Sequence, residues 1–494
     1  MKFQSTRDLT AAKFSAAQVI KQGLAADGGL FIPEKIPTLT EAEITALCGM
    51  DYPARAAKIL GKFLSDYTEE ELLADCKAAY SPESFRGGAA PLVRVDDVIH
   101  SLELWHGPTA AFKDMALQIM PRLLSRALVK TGEERTALIL VATSGDTGKA
   151  ALEGYKDIDR IKMAVFYPVD GVSRVQKLQM QTQTGSNVYV CAIKGNFDDA
   201  QSGVKKIFSD ANIAKELNDK GYFLSSANSI NWGRLAPQIV YYVSAYCDLL
   251  ANGTLKMGES MNVAVPTGNF GNIFAAYLAK LMGLPIGRLI CASNRNNILT
   301  DFLATGTYDR NRDFHLTMSP SMDILISSNL ERLLYLAAGP ERTAAYMTSL
   351  AKTGAYMVDA DVKKAIDASF SGYFADEALT AKTIRETMQN NGYLADTHTA
   401  VGIAAARQYI EETGDRTPLV VASTASPYKF AADVYRSLYE EDADSALAAL
   451  DQLSERSGTE IPYPLCGIGE RTVRFTDVVE SDEMWQVVLH TLVK

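Results

Sequence analysis

Two glycines three positions apart, Gly268 and Gly271, lie between a short apolar segment and a helical pattern. Residues 262–266 have the length and composition of a buried strand, and residues 273–278 are typical of a helix. When a glycine turn connects a strand to the first turn of a helix, several unpaired backbone N–H groups point to one position, where the helix dipole adds positive charge. The pattern therefore predicts a phosphate cradle, formed by Gly268, Asn269, Phe270, Gly271 and Asn272. The alternative is a tight turn whose glycines serve only the backbone geometry.

A nucleotide is a poor fit to this cradle. The loop has neither the Lys-Ser/Thr pair of a P-loop nor the spacing of a GxGxxG motif. A smaller phosphate-bearing ligand is therefore favoured.

A second loop, after the apolar residues 137–142, is rich in hydroxyl groups. Thr143, Ser144 and Thr147, together with their backbone amides, could hold a carboxylate. The alternative is that Ser144 or Asp146 only caps the helix that follows. A serine-esterase elbow fits less well, because Ser144 is not flanked by glycine on both of the required sides.

Lys113 is the candidate for covalent chemistry, because it follows the apolar residues 110–112. An apolar approach buries the ammonium and lowers its pKa, which makes the amine competent to form a Schiff base. The alternative is a solvated lysine in the first turn of a helix. His106 and His398 fit loop or core positions at least as well as the role of a catalytic base. Since the chain has five histidines and no HExxH motif, we predict no metal site.

Each candidate loop follows a short apolar run, in the alternation of strands and helices that is typical of an α/β protein. Strand–loop–helix junctions of this form lie at residues 98–114, 137–148, 262–272 and 418–427. In an open α/β sheet, ligands bind at the carboxyl ends of the strands, so we expect these loops to line the site. Residues 1 to about 90 instead alternate short helical stretches with turns. A chain of 494 residues is too long for one hydrophobic core, which predicts two or three domains.

The composition is that of an ordinary globular protein, with 47% hydrophobic and 22% charged residues. The net charge of −10 disfavours a nucleic-acid partner but allows a small anionic substrate. Six scattered cysteines without a CxxC pair indicate a reducing compartment. The N-terminus leads into no signal-like apolar segment, and no apolar run approaches the ~18 residues of a membrane span. We therefore expect a cytoplasmic protein with no membrane partner.

Taken together, these segments resemble the threonine synthase family, within the tryptophan-synthase-like, fold type II group of pyridoxal-phosphate (PLP) enzymes. The resemblance extends over nearly the whole chain, and its order along the sequence makes it specific. The segments that carry it are residues 23–33 (GLAADGGLFIP), 106–114 (HGPTAAFKD), 143–148 (TSGDTG), 225–231 (SSANSIN), 268–272 (GNFGN) and 423–430 (STASPYKF).

The resemblance implies an α/β fold with two open α/β sheet domains flanking a cofactor cleft, plus an N-terminal, mainly helical domain. We expect the N-terminal domain to cover residues 1–92. The large PLP-binding domain would take residues 93–134 and 236–494, and the small α/β domain residues 135–235.

The resemblance also assigns roles in the site. Lys113 would hold PLP as a Schiff base, residues 268–272 would bind the PLP phosphate, and Thr424 would bond the pyridine nitrogen. Residues 143–147 would hold the α-carboxylate of the substrate. Many members of the wider group carry Asn where this chain has Asp146, so we expect the Asp146 side chain to point away from that carboxylate or to bond backbone amides. The candidates for binding the substrate phosphate are Ser173, Arg174, Asn231 and Arg234.

The activity that the resemblance implies is conversion of O-phospho-L-homoserine and water into L-threonine and phosphate. The reaction combines γ-elimination of phosphate with addition of water at Cβ, and it ends threonine biosynthesis. A monomer or homodimer acting on this small molecule is expected. Two alternatives stay open: a phospholyase that releases 2-oxobutyrate from the same substrate, and a non-catalytic protein that binds PLP or an amino-acid phosphate.

Overall fold

The computed structural model describes residues 1–10, 12–143, 145–170 and 172–493. The strands of this part are β1 (Phe3–Ser5), β2 (Phe31–Pro33), β3 (Leu92–Arg94), β4 (Ile99–Glu103), β5 (Thr136–Ala142), β6 (Ile161–Pro168), β7 (Val188–Ile193), β8 (Tyr222–Ser225), β9 (Met261–Pro266), β10 (Ile286–Ser293), β11 (Thr307–Asp309), β12 (Ala355–Met357), β13 (Phe370–Phe374), β14 (Leu419–Ser423) and β15 (Val478–Val479).

The helices connect and cover these strands. They are α1 (Ala16–Gln22), α2 (Glu41–Cys48), α3 (Tyr52–Phe63), α4 (Glu69–Ala79), α5 (Asp114–Leu117), α6 (Met120–Lys130), α7 (Asp146–Tyr155), α8 (Arg174–Gln181), α9 (Phe197–Ser209), α10 (Ala211–Asp219), α11 (Trp232–Leu235), α12 (Pro237–Ala251), α13 (Gly271–Leu281), α14 (Ile298–Thr305), α15 (Leu330–Ala338), α16 (Pro340–Thr353), α17 (Ala360–Asp367), α18 (Glu377–Asn391), α19 (Thr397–Thr413), α20 (Ala431–Tyr439), α21 (Ala448–Ser457) and α22 (Met484–Thr491). Short 3₁₀ turns lie at Pro320–Met322, Pro427–Phe430 and Ile468–Glu470.

The N-terminal region is mainly helical, as the sequence predicted. Ser15, Thr40 and Thr68 each start a helix with a reciprocal capping box, in which the cap hydroxyl and the side chain three residues later satisfy each other's backbone N–H groups. The antiparallel pair β1–β2 holds the chain start against this helical group. Within the described part of residues 1–90, β1 and β2 pair only with each other, so this region contributes no strand to either large sheet.

The larger sheet has the strand order β13-β10-β9-β14-β4-β3 within the described residues. Its neighbours are parallel except for β3, which pairs with β4 in the antiparallel sense at the edge. Strands β4, β9 and β14 are buried along their whole length, because helices cover both faces: α19 packs across β9, β10 and β14, and α13 packs against β9 and β10. This arrangement explains the continuous apolar runs in the sequence.

The smaller sheet has the order β15-β7-β6-β5-β8, and all its pairs are parallel. The two sheets confirm the predicted fold class. The residue boundaries of the domains stay a prediction. Strand β15 lies in the range 236–494 that was assigned to the large domain, yet it extends the smaller sheet beside β7, where α22 packs on α9.

Helix α12 lies in the centre of the molecule, with nearly all its side chains buried against α2, α3 and α13. Among the described residues, no helix combines the length and the apolar character needed to cross a membrane.

A fully buried arginine joins three parts of the fold. The Arg332 guanidinium donates to the Phe31 carbonyl at 2.9 Å, to the Ile230 carbonyl at 2.6 Å and to the Asn329 side chain. These acceptors belong to β2, to the loop before α11 and to the start of α15. Burial lowers the Arg332 pKa to about 9, so the stability of the charge depends on these hydrogen bonds.

We expect the substitution Arg332→Met to lower the free energy of unfolding by about 3 kcal/mol or more, because it leaves several buried acceptors without a donor. Urea unfolding of the protein measures this change. Arg342→Met is the matched control, since Arg342 is partly exposed and pairs with Asp361 at the surface at 2.9 Å. A loss no larger than that of the control would contradict the proposed role of Arg332.

Candidate active site

The loops that follow β4 and β14 are held together by their backbones. Phe112 N–H donates to the Thr424 carbonyl at 2.8 Å, and Ser426 N–H donates to the Ala110 carbonyl at 3.1 Å. Ala110 adopts a left-handed conformation with φ 58°, which turns the chain into the following helix. Lys113 and Thr424 are thereby placed in the loops that follow two neighbouring strands, at the carboxyl ends of those strands.

The Lys113 side chain extends into the space between the two sheets. Its Nζ lies 3.6 Å from Asp146 Oδ2 and 3.5 Å from Ser321 Oγ, and only 11% of the side chain is exposed. Burial lowers the Lys113 pKa, the Asp146 carboxylate opposes this effect, and the nearby Lys429 and Arg234 reinforce it. The amine is therefore closer to its reactive neutral form than a surface lysine.

Asp146 opens helix α7 from the smaller sheet, and it is the carboxylate of the site. Its Oδ1 accepts hydrogen bonds from Lys429 Nζ at 2.7 Å and from Gln176 Nε2 at 2.8 Å, and its Oδ2 accepts from Ser321 Oγ at 3.3 Å. Burial alone would raise the Asp146 pKa, but the Lys429 and Lys113 charges hold it well below its usual range.

Of the two arrangements expected for Asp146, bonding to backbone amides is not what the described residues show. The side chain points at Lys113 and pairs with Lys429, whose side chain is fully buried. The physical reason is that a buried carboxylate needs a counter-charge, and Lys429 supplies it from the loop after β14.

The loop after β9 has the geometry of the predicted phosphate cradle. The Gly268 carbonyl accepts from Ser327 Oγ at 2.6 Å, and the Asn269 carbonyl accepts from Asn329 N–H at 3.0 Å. Phe270 is left-handed, with φ 59°, and forms the N-cap of α13. The carbonyls are thus bound on one side, and the first N–H groups of α13 have no partner within their own helix.

Asn272 adds a donor to this cradle. Its Oδ1 accepts hydrogen bonds from Tyr241 at 2.6 Å and from Tyr242 at 2.5 Å, which fixes the orientation of the amide. Its Nδ2 is buried and has no hydrogen-bond partner among the described residues. A buried amide donor without a partner at a helix N-terminus fits a bound phosphate oxygen.

Thr424 is buried at the edge of the larger sheet, and its carbonyl is already bonded to Phe112. The hydrogen bonds of the described residues include none to the Thr424 hydroxyl. The neighbouring Ser423 hydroxyl, in contrast, contacts Trp105 Nε1 and Thr399 Oγ1, each at 3.0 Å. The Thr424 hydroxyl is therefore free for a ligand.

In the hydroxyl-rich loop after β5, the Thr143 side chain binds the start of helix α7. Thr143 Oγ1 accepts from the N–H groups of Gly145, the N-cap, at 3.0 Å and of Gly148 at 2.9 Å, while Asp146 is the first residue of the helix rather than its cap. Thr147 is half-buried in the first turn of α7. Ser144 lies outside the described residues.

The candidates for holding a substrate phosphate occupy different environments. Arg234 is buried, and its Nη1 donates to the Ala227 carbonyl at 2.9 Å, while its Nε has no partner among the described residues. Burial lowers the Arg234 pKa to about 10.

The Asn231 side chain binds Gly233 N–H at 2.8 Å and the Ile20 carbonyl at 2.9 Å, so it joins α11 to α1. Ser173 and Arg174 are exposed at the start of α8.

Sequence reasoning missed three members of this site. Lys429 stood in the quoted segment 423–430, but nothing in the sequence indicated that it would meet Asp146. Gln176 lies beside the named Ser173 and Arg174. Ser321 had no signal at all, because its 3₁₀ turn does not follow a strand in the βα pattern.

Three family models match the chain in succession. “Threonine synthase N terminus” matches residues 2–80, “Pyridoxal-phosphate dependent enzyme” matches residues 86–424, and “Threonine synthase, C-terminal” matches residues 399–484.

Individual relatives agree with these models. The human protein “Threonine synthase-like 1” is 39% identical over 439 residues, which are 86% of this chain and 58% of the human protein. The present chain therefore spans little more than half the length of that relative. The threonine synthase of Pseudomonas aeruginosa is 39% identical over 436 residues, 87% of this chain and 89% of that protein. The crystal structure of PLP-bound threonine synthase from Brucella melitensis superimposes with a TM-score of 0.89 at 37% identity, covering 100% of both chains.

The Asp146–Lys429 pair generates a prediction about stability. We expect Asp146→Asn and Lys429→Met each to lower the free energy of unfolding by about 3–5 kcal/mol, since each leaves a buried charge without its partner. The double variant should lose less than the sum, with a coupling energy of about 1–3 kcal/mol. Urea unfolding of the cofactor-free protein measures all three changes.

The control for this cycle is Lys382 and Glu386, an exposed pair at 3.6 Å on one face of α18. Lys382→Met and Glu386→Gln should show no comparable coupling, because exposed ion pairs contribute little. Additive losses for Asp146→Asn and Lys429→Met would mean that the two side chains do not stabilise each other.

Proposed function

This chain belongs to the threonine synthase family of pyridoxal-phosphate-dependent enzymes, and we propose that it converts O-phospho-L-homoserine and water into L-threonine and inorganic phosphate. The observation that carries the proposal is the position of Lys113. Its buried amine lies between the loop after β9 of the larger sheet and the hydroxyl-rich loop of the smaller sheet, with Thr424 in the loop after the adjacent strand. This reaction would complete threonine biosynthesis.

The residues present fit the cofactor that the family uses. Lys113 would carry PLP covalently, the N–H groups of residues 268–272 with Asn272 Nδ2 would hold its phosphate, and the Thr424 hydroxyl would bond its ring nitrogen. Bound PLP supplies an electron sink for the negative charge that develops on the substrate carbon atoms. With a neutral hydroxyl rather than a carboxylate at the ring nitrogen, the ring would be less protonated and would withdraw electrons less strongly.

Lys113 is our proposed base. The free Lys113 nitrogen would remove the proton from the substrate Cα and leave the electron pair on carbon. Burial favours the neutral amine that this step needs. The Asp146 carboxylate, 3.6 Å away, stabilises the ammonium that the step creates.

Arg234 and Arg174 are our proposed contacts to the substrate phosphate, together with Ser173 and the segment around Asn231. Two observations support Arg234. It is buried without a carboxylate partner in the described part of the chain, and its Nε has no hydrogen-bond partner there. Such a group gains its missing hydrogen bonds when an anion binds. Arg174 and Ser173 begin α8, whose Gln176 bonds Asp146, and an anion at this helix start would be favoured by the dipole.

For the α-carboxylate of the substrate, we propose the loop of Thr143, Ser144, Asp146 and Thr147. The support is that this loop opens α7, so its N–H groups can act as donors. Asp146 would act there by holding Lys113 and Ser321 rather than by touching the carboxylate itself.

We propose that the protein works in the cytoplasm as a monomer or homodimer. The support for the location is that all six cysteines are free thiols, of which Cys76, Cys191, Cys247 and Cys291 are buried. Thiols in this state are typical of a reducing compartment.

Product analysis tests the proposed reaction. The PLP-loaded protein incubated with O-phosphohomoserine should release threonine and phosphate in equal amounts. Lys113→Ala should lower the rate by about 100-fold or more, because the base and the covalent attachment point are both lost. The exposed Lys205 gives the control, and Lys205→Ala should retain the wild-type rate.

The products also discriminate against the alternatives. Phosphate with 2-oxobutyrate and no threonine would identify a phospholyase that uses the same site. No turnover of O-phosphohomoserine by a protein that binds PLP would refute the proposed substrate.

Kinetics of arginine variants test the phosphate contacts. We expect Arg234→Met to raise the KM for O-phosphohomoserine by about 10-fold or more, since a hydrogen bond to a charged group is lost, and Arg174→Met to raise it in the same direction. Arg342→Met, at a surface pair outside the site, should leave KM unchanged. If neither Arg234→Met nor Arg174→Met changes KM, both assignments are wrong.

A further inference from the structure

Ser321 lies at the centre of the site although it belongs to neither sheet. It occupies the 3₁₀ turn Pro320–Met322, in the segment between β11 and α15. Its hydroxyl accepts a hydrogen bond from Lys113 Nζ at 3.5 Å and donates one to Asp146 Oδ2 at 3.3 Å. The serine therefore connects the amine from the larger sheet with the carboxylate from the smaller sheet.

The hydrogen bonds of Asp146 explain why a bridging hydroxyl matters. Its Oδ1 is already occupied by Lys429 and Gln176, so its Oδ2 is the oxygen that faces both Lys113 Nζ, at 3.6 Å, and Ser321 Oγ, at 3.3 Å. Ser321 is the neutral group that reaches both. The charged groups that face Lys113 are Asp146, Lys429 and Arg234.

A buried histidine fixes the backbone of Ser321. Ser321 N–H donates to His398 Nε2 at 3.1 Å. Because a backbone amide can only donate, this ring nitrogen must be unprotonated, and the ring proton lies on Nδ1. Nδ1 is 2.9 Å from Asp396 Oδ1, which therefore accepts that proton.

Asp396 is in turn held by the start of α19. It is the N-cap of that helix and accepts from His398 N–H at 2.8 Å, from Thr399 N–H at 3.2 Å and from the Thr399 hydroxyl. Asp396 and Thr399 are fully buried and His398 is nearly so. A chain of hydrogen bonds thus runs from a helix start through the imidazole to the Ser321 backbone.

The other side of Ser321 is fixed by the phosphate cradle. A Cβ atom added to Gly268 would lie 2.8 Å from the Ser321 carbonyl oxygen, so glycine is needed there to let the turn approach. Ser321 is consequently clamped between Gly268 and His398, and its hydroxyl has a defined direction.

We propose that Ser321 is a further catalytic residue and that His398 and Asp396 are positioning residues that aim its hydroxyl at Lys113. This inference rests on the proposed function, in which Lys113 removes the Cα proton. In that step the C–H bond breaks, the proton forms a new N–H bond on Lys113, and the electron pair stays on carbon. The Ser321 oxygen accepts one N–H of the resulting ammonium, while its own proton stays on the hydroxyl and remains hydrogen-bonded to Asp146 Oδ2.

Turnover of the loaded enzyme gives the first test. We expect Ser321→Ala to lower kcat by about 10-fold or more with a smaller change in KM, because a hydrogen bond to a charged group is lost from the reacting state. Ser321→Thr keeps the hydroxyl and should restore most of the rate. The control is Ser349→Ala, which removes a serine hydroxyl bonded at 2.7 Å to the Ala355 carbonyl and should leave kcat unchanged.

Attachment of PLP to the cofactor-free protein gives a test that does not depend on turnover. The rate of attachment, followed by absorbance, reports the neutral fraction of Lys113 as the pH rises. The Ser321 oxygen stabilises the ammonium form, so its removal lowers the Lys113 pKa and moves the curve of Ser321→Ala to lower pH. The curve of Ser321→Thr should stay at the wild-type position.

His398 variants test the positioning role. The side-chain oxygen of His398→Gln can still accept from Ser321 N–H, whereas His398→Phe offers no acceptor. We expect His398→Phe to reproduce the lowered pH midpoint of Ser321→Ala, and His398→Gln to lie closer to wild type. Should His398→Phe not fold, the comparison of His398→Gln with wild type and Ser321→Ala still measures the effect.

Unchanged kcat and an unchanged attachment curve in Ser321→Ala would overturn the role of Ser321. Loss of kcat in both Ser321→Ala and Ser321→Thr, without a shift of the attachment curve, would assign the serine only to packing and would equally overturn it. If the wild-type protein makes no threonine, the proposed function fails by itself, and the attachment curves still decide whether Ser321 acts on Lys113.

Discussion

The site depends on one buried carboxylate held between lysines. Asp146 comes from the smaller sheet, whereas Lys113 and Lys429 come from loops of the larger sheet, and the three meet with Asp146–Lys429 at 2.7 Å and Asp146–Lys113 at 3.6 Å. Taking such charges out of water is costly unless each finds a partner, so the cluster exists only when both sheets are assembled. The electrostatics therefore fix the relative position of the two sheets at the place where the chemistry occurs.

The position of these charged groups also depends on the hydrogen bonds that hold the surrounding loops. Phe112 and Thr424 join their loops through the backbone, and Asn329 holds the cradle at Asn269 while it accepts a hydrogen bond from Arg332. Arg332 extends the same network to the N-terminal region through Phe31. Side chains far apart in sequence are thus held by a short path of buried hydrogen bonds, which restricts the orientations that Lys113 can take.

Local patterns predicted the parts of the fold that local physics determines. The predicted apolar runs form β5, β9 and β14, and the glycine loop at Gly268 leads into a helix. Both features depend on residues that are close together in the sequence, so the pattern of residues predicts them. The partners of Asp146 could not be predicted in this way. Lys429 and Ser321 lie 283 and 175 residues away from it along the chain, and their approach follows from sheet topology rather than from spacing. The contacts of Asn231 could not be predicted from its motif either, since its side chain joins α11 to α1, more than 200 residues away in sequence.

The balance of charge around the site bears on the kind of ligand it accepts. The whole chain carries a net charge of −10, yet three cationic side chains, Lys113, Lys429 and Arg234, are buried around Asp146, with Asp114 as a second buried carboxyl group near Lys429. A cationic excess inside an acidic protein raises the free energy of the empty site, because these groups have lost water without gaining enough counter-charge. An anionic ligand recovers that free energy when it binds, whereas a neutral analogue of the same shape does not. A preference for anionic ligands, such as the proposed phosphate-bearing substrate, therefore follows from the way the site is folded, before any individual contact to the ligand is counted.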